Sequence, residues 1–217
     1  FLREGDQAVM AYGSFISYYL RTLEMGADAV RVPLRDYAHD LDAMLAAITD
    51  RTRLLFLCNP NNPTGTTNTA AEVAAFLKRV PDDVLVVVDE AYVEFVDRDD
   101  YPDMVAELRA GRRNIILLRT FAKIYGLAGL RIGYALGDPE GIGDIERARP
   151  TFNVNAIAQA AALAALSDTE HVEKSRALAA ESRATFMREL RALGLDPIPS
   201  STNFIAVHVG DDMAVTT

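Results

Sequence analysis

The sequence predicts an α/β fold in which a mostly parallel sheet lies between helices, followed by a linking helix and the start of a smaller second domain. Three observations predict it. Six short apolar runs recur along the chain up to Gly137. Helical patterns separate some of them, and strand alternating with helix argues for an open sheet. Several runs are apolar on both faces, the pattern of parallel strands covered on both sides.

In chain order the expected strands are QAVMAY, DAVRVPL, RLLFLCN, VLVVVDE, NIILLRT and RIGYALG. AAEVAAFLKRV and DMVAELRAG have helical spacing, and their alanine, leucine and glutamate are good helix formers. From about Asn153 the character changes. NAIAQAAALAAL and HVEKSRALAAESRATFMRELRALG read as a long helical stretch that stops at Gly194. DPIPSS and a new strand, NFIAVHV, follow. The expected division is a large domain over 1–152, linking helices over 153–194 and the start of a small carboxy-terminal domain over 195–217. Both ends look cut. The chain begins without an initiator Met and ends at GDDMAVTT, where a helix is expected to start.

The 217 residues, half of them hydrophobic, suffice for a sizeable core. A net charge of −9 argues against nucleic-acid partners, because phosphate binding needs a basic face. There is no run of about eighteen apolar residues, so no membrane span is expected. FLREGDQAVM has neither part of a signal peptide. The single cysteine, Cys58, excludes an intrachain disulfide framework and fits a cytoplasmic setting. His39, His171 and His208 show no ligand spacing, so no metal site is expected. Cys58 itself reads as an inert core thiol. Gly141 and Gly143, in PEGIGD, read as a turn at a helix entry, and DRDD as a solvated loop.

Ligands of open α/β sheets collect at the carboxyl ends of the strands. Three such ends carry unusual groups. RLLFLCN runs into NPNNPTG, where two prolines and a glycine would hold Asn61 and Asn62 on a rigid loop; an ordinary turn before a helix is the plainer alternative. VLVVVDEAY puts Asp89 at the end of an apolar strand. A desolvated carboxylate there needs a cationic partner, unless it serves as a helix cap or a structural ion pair. Tyr92, three residues on, either reaches the same pocket or packs. NIILLRTFAK brings Thr120 and Lys123 to another end. A lysine among apolar groups and other cations becomes a nucleophilic amine suited to Schiff-base chemistry, or else snorkels to water. Arg131 fits a phosphate, with a surface salt bridge as the alternative. A buried acid, a fixed amide, a phenol, an amine and an Arg/Thr pair are the parts that hold pyridoxal phosphate.

At these residues the sequence resembles a known family. NPNNPTG, DEAYVEF and FAKIYGLAGLRIGY are similar to fold-type I pyridoxal-phosphate aminotransferases, and most of all to the histidinol-phosphate aminotransferases. RPTFNVNAIAQAAALAAL and PSSTNFIAV resemble that family's stretches at the same places. The resemblance implies a fold-type I large domain and the start of a small α+β carboxy-terminal domain. It implies pyridoxal 5′-phosphate as cofactor, an amino donor and 2-oxoglutarate as substrates, a homodimer and a place in histidine biosynthesis. By position, Lys123 would carry the cofactor and shuttle protons, and Asp89 would pair with the pyridine nitrogen. Asn62 and Tyr92 would contact the ring oxygen, and Thr120 and Arg131 the phosphate. Phe15 would stack on the ring; without the family it reads as core. Asn155 would lie near the substrate. The sequence departs from the family at Ala122, where a serine is common. The resemblance also implies a phosphate-binding loop and an interface tyrosine from an amino-terminal segment, and a carboxylate-binding arginine from the carboxy-terminal domain. None of these is among the 217 residues, and turnover by this chain alone is expected to be weak or nil. An aromatic amino acid aminotransferase, a threonine-phosphate-decarboxylase-like lyase and an inactive truncated member are the alternatives.

Overall fold

In the computed structural model, which describes residues 1–210, the six expected strands form one sheet. They are β1 (Gln7–Tyr12), β2 (Asp28–Pro33), β3 (Thr52–Cys58), β4 (Leu85–Asp89), β5 (Ile115–Thr120) and β6 (Gly133–Gly137). The order across the sheet is β2-β1-β3-β4-β5-β6. Strands β1 to β5 run parallel, and β6 is antiparallel to β5. From β1 the chain moves outward to β2, then returns to the other side of β1 to form β3. This reversal opens a crevice beyond the carboxyl ends of β1 and β3. Because β6 runs backwards, its amino-terminal end, with Arg131 just before it, reaches the same edge of the sheet.

The helices are α1 (Ile16–Glu24), α2 (Leu41–Ala46), α3 (Ala70–Leu77), α4 (Met104–Arg109), α5 (Pro139–Ala148), α6 (Ala156–Ser167) and α7 (Thr169–Ala192). Strand side chains alternate between faces, so both faces can be read directly. Val9, Leu55, Leu57, Val86, Val88, Ile115 and Leu117 meet Met44 of α2, Val73, Phe76 and Leu77 of α3, and Met104 of α4. The opposite face presents Ala8, Met10, Leu54, Cys58 and Val87 to Tyr18 of α1. Asp89 follows Val87 by two residues and shares the α1 face. Thr120, two residues past Leu118, shares it too.

Local chemistry sets the helix starts. Thr69 and Glu72 form a reciprocal capping box at α3. Asp40, Asp103, Asp138 and Asp168 accept backbone N–H bonds at the starts of α2, α4, α5 and α7. Four expectations need correction. Gly141 and Gly143 lie inside α5, not in an entry turn, because Asp138 and Pro139 have already started the helix. The stretch after Asn153 is not one helix. It breaks at Asp168, which ends α6 and caps α7 through a bond from the His171 N–H, 3.0 Å. Helices α1 and α2 are additions to the expected helices. Of NFIAVHV only Val207–His208 (β8) pairs, antiparallel with Asp196–Pro197 (β7). The helix expected in GDDMAVTT lies outside the described residues. No helix among the described residues is long and apolar enough to cross a membrane.

Candidate active site

The crevice is built on the NPNNPTG loop. The Asn59 N–H donates to the Asp89 carbonyl, 3.0 Å, which continues the β3–β4 pairing past its last rung. Asn61 then turns inward. Its Nδ2 donates to the Thr64 hydroxyl, 2.8 Å, and to the Gly13 carbonyl, 3.2 Å, at the end of β1. Its backbone closes the turn with Thr66 and Gly65, each bond 2.8 Å. Gly65 sits at φ +76°, where a side chain is strained. The loop is therefore tied to both strands that flank the crevice. Asn61 does this structural work while Asn62 stays half-buried at the crevice.

Asp89 is held by fixed donors. The Tyr18 hydroxyl donates to Oδ2 at 2.5 Å and the Ala91 N–H to Oδ1 at 3.0 Å. Burial pushes the Asp89 carboxyl up, while Tyr18, Ala91 and the Lys123 ammonium pull it back down. Tyr18 stacks on Phe56 at 4.7 Å, and Phe15 meets its edge at 5.6 Å. Burial first, then the nearby Cys58 and Asp89, raises the Tyr18 phenol well above its ordinary value, so it remains a donor. Burial also pushes the Cys58 thiol up to about 12, which keeps it inert as expected.

Lys123 lies in the turn after β5, with Nζ 5.0 Å from the centre of the Tyr92 ring. Tyr92 is buried and meets Phe204 edge-on at 5.1 Å. Here the structure corrects the expectation of a desolvated lysine: Lys123 is exposed. Its electrostatic neighbours are Asp89 and the Tyr92 ring, not an apolar pocket. Thr120 is half-buried and its hydroxyl accepts the Ala122 N–H, 3.0 Å. Arg131 is exposed in a left-handed conformation and bonds the Ala128 carbonyl, 2.8 Å.

Phe15 is 42% exposed at the start of α1, so the core reading fails for it. Asn155 is accounted for by capping α6, accepting the Ala158 N–H at 2.8 Å. The structure brings Asp89, Tyr92 and Lys123 together and places Thr120 on the Asp89 face of the sheet. Asn155 makes no contact with that group in the described bonds. Two residues escaped the sequence reading. Tyr18 lies three residues after Phe15 on α1, and its signal was the helical spacing that puts both on one face. Glu90 is fully buried and paired with Arg119; a second acid after Asp89 was the signal. Among the described residues no cluster of His, Cys, Asp or Glu could hold a metal ion.

Comparison with known proteins places this geometry in context. The family profile described as aminotransferase class I and II matches residues 1–216. A histidinol-phosphate aminotransferase of Moorella thermoacetica is 50% identical over 212 residues, covering 98% of this chain and 55% of the relative. An aromatic amino acid aminotransferase of Rhodococcus jostii is 48% identical over 209 residues, covering 95% of this chain and 57% of the relative. The crystal structure of histidinol-phosphate aminotransferase from Sinorhizobium meliloti in complex with pyridoxal-5′-phosphate superposes with a TM-score of 0.91 at 36% identity, covering 99% of this chain and 58% of that one. The chain thus spans little more than half the length of the relatives it matches.

Proposed function

Because the chain belongs to the class I and II aminotransferase family, we propose that it carries the cofactor machinery of a pyridoxal-phosphate-dependent transaminase. The reaction moves the amino group of L-histidinol phosphate to 2-oxoglutarate, giving imidazole-acetol phosphate and L-glutamate in histidine biosynthesis. The observation that carries the reading is the approach of one amine, Lys123, and one desolvated carboxylate, Asp89, at a single crevice. Names of relatives at about half identity support the substrate.

The residues present fit the cofactor. Asp89 is a carboxylate that burial drives toward protonation, and a ring N–H would complete its set of donors. Phe15 offers an exposed ring against Tyr18, the residue that donates to that acid. Among the described residues Arg131 spends only part of its donor fork, on Ala128, and the rest would suit an anion. Pyridoxal phosphate supplies an electron sink for charge developing at the substrate carbon. Asp89 keeps the ring nitrogen protonated. Asn62 and Tyr92 donate to the ring oxygen, and Thr120 and Arg131 bind the phosphate. Phe15 covers the ring. Lys123 Nζ would hold the cofactor covalently and would serve as the base that moves a proton at the substrate carbon.

Residues 1–152 act as the large domain, 153–194 as linking helices and the residues after 194 as the start of the small domain. The working enzyme is a cytoplasmic homodimer. An aromatic amino acid aminotransferase is the second reading, favoured by the Rhodococcus jostii relative. The test is to add pyridoxal phosphate, record the visible spectrum, reduce with borohydride and map the labelled peptide. Label on Lys123 supports the reading; label elsewhere, or no band, refutes it. A panel of L-histidinol phosphate and aromatic amino acids then decides between the two substrates.

A further inference from the structure

We infer that the buried Glu90–Arg119 ion pair is a positioning device: it fixes the end of β4, which bears Asp89, against the end of β5, which bears Thr120 and the Lys123 turn. The inference rests on the transaminase reading above. Alternation along each strand puts Glu90 and Arg119 on the face opposite Asp89 and Thr120, behind the crevice. Arg119 Nε and Nη2 both reach Glu90 Oε2, at 2.8 and 2.7 Å. The β4–β5 ladder has its last rung at Asp89 and Leu118, followed by one bond from the Glu90 N–H to the Leu118 carbonyl, 2.9 Å. Past that point the two backbones part, one toward Tyr92 and the other toward Lys123. The ion pair is the next tie between them. From the other side, Gly133 lets β6 lie close against the Arg119 carbonyl, where an added Cβ would come within 2.7 Å.

Stability alone does not call for this pair. Glu90 is fully buried, its Oε1 has no partner, and burial drives its carboxyl upward against the pull of Arg119. An apolar pair of similar volume is commonly as stable as a buried ion pair, or more so. What an apolar pair lacks is a directional bond that sets one strand end against the other.

The test uses the double variant Glu90→Leu/Arg119→Met, with Glu90→Gln as a second, shape-conserving variant should the first not fold. Three readings are taken: amide exchange without cofactor, pyridoxal-phosphate affinity, and the pH midpoint of the bound cofactor's visible absorbance. Positioning predicts faster exchange confined to 89–92 and 119–127, affinity weaker by on the order of tenfold, and a displaced midpoint. Exchange that stays unchanged, or rises evenly over the whole sheet, overturns the inference. So do a parental affinity and midpoint in a folded variant. If the parent protein takes up no cofactor, the transaminase reading fails, and the exchange pattern alone decides whether the pair holds the two strand ends.

Discussion

His39 makes the crevice sensitive to acid, by an amount that the structure sets. It precedes α2 and is buried beside the Asn61 amide, under the NPNNPTG loop. Neither ring nitrogen has a well-formed hydrogen bond. Burial lowers its pKa from 6.5 to about 4, against the weaker opposing pull of Asn61 and Cys58. The unfolded chain therefore binds a proton that the folded one refuses, between pH 6.5 and about 4. Stability from this group is complete above pH 6.5 and falls as the pH drops through that window. From pH 7 to pH 5 the loss is about 2 kcal/mol by linkage. Glu94 works in the opposite sense. Burial raises its carboxyl from 4.5 to about 6, so its contribution is complete below 4.5 and is lost as the pH rises through 6. Over their shared range the two slopes partly cancel, and wild-type stability alone would hide the histidine. The assay is urea unfolding at pH 7 and at pH 5 for the parent protein and for His39→Gln. Glu94 and the other carboxylates titrate in both proteins and drop out of the difference. The parent should lose about 2 kcal/mol more than the variant between the two pH values. A difference within a few tenths of a kcal/mol would refute the buried neutral histidine.

Three further changes test the frame around it. Tyr18→Phe removes a hydrogen bond to a charged group, about 1.5–3 kcal/mol, so Asp89 should titrate higher and pyridoxal phosphate should bind roughly tenfold more weakly in a spectrophotometric titration. Leu117→Ala empties a fully buried position of β5 and should cost about 2–5 kcal/mol in thermal or denaturant unfolding. Gly65→Ala forces a side chain into a left-handed site and against Ser200; it should loosen residues 198–204, which limited proteolysis would detect as a new cut there.

The strands were legible because their burial is two-sided. VLVVVDE admits no amphipathic helix, and its Val residues divide between the two cores of the sheet as alternation requires. Asp89 and Lys123 were legible for a related reason: each interrupts or follows an apolar run at the end where such sheets bind ligands. Helices α1 and α2 were missed because they are short, nine and six residues, and each lies close to a strand that dominates the local pattern. The break at Asp168 had a local signal, the cap-forming run SDTE at 167–170, which the surrounding helix formers outweighed; the Asp168 side chain caps α7. The environment of Lys123 could not be read locally. Its apolar neighbours Phe121 and Ile124 are buried, while Lys123 itself is left exposed.

On the transaminase reading proposed above, the contrast between Asp89 and Lys123 has a reason. In that reading the acid is to stay fixed and to demand a proton on the ring. It stands on the last residue of β4, fixed by the ladder, by Tyr18 and by the Ala91 amide, in a place dry enough to push its carboxyl up. In the same reading the amine is to swing between anchor and base. It stands on a turn whose backbone is closed by Gly126 N–H to Lys123 carbonyl, 3.0 Å, and Leu127 N–H to Phe121 carbonyl, 2.9 Å. The root of the side chain is thus held while its tip makes no ion pair among the described residues. A lysine locked in a salt bridge at this turn would have to give up that partner at every reversal. The Tyr92 ring, 5.0 Å from Nζ, offers a softer hold that a rotating ammonium can leave and regain.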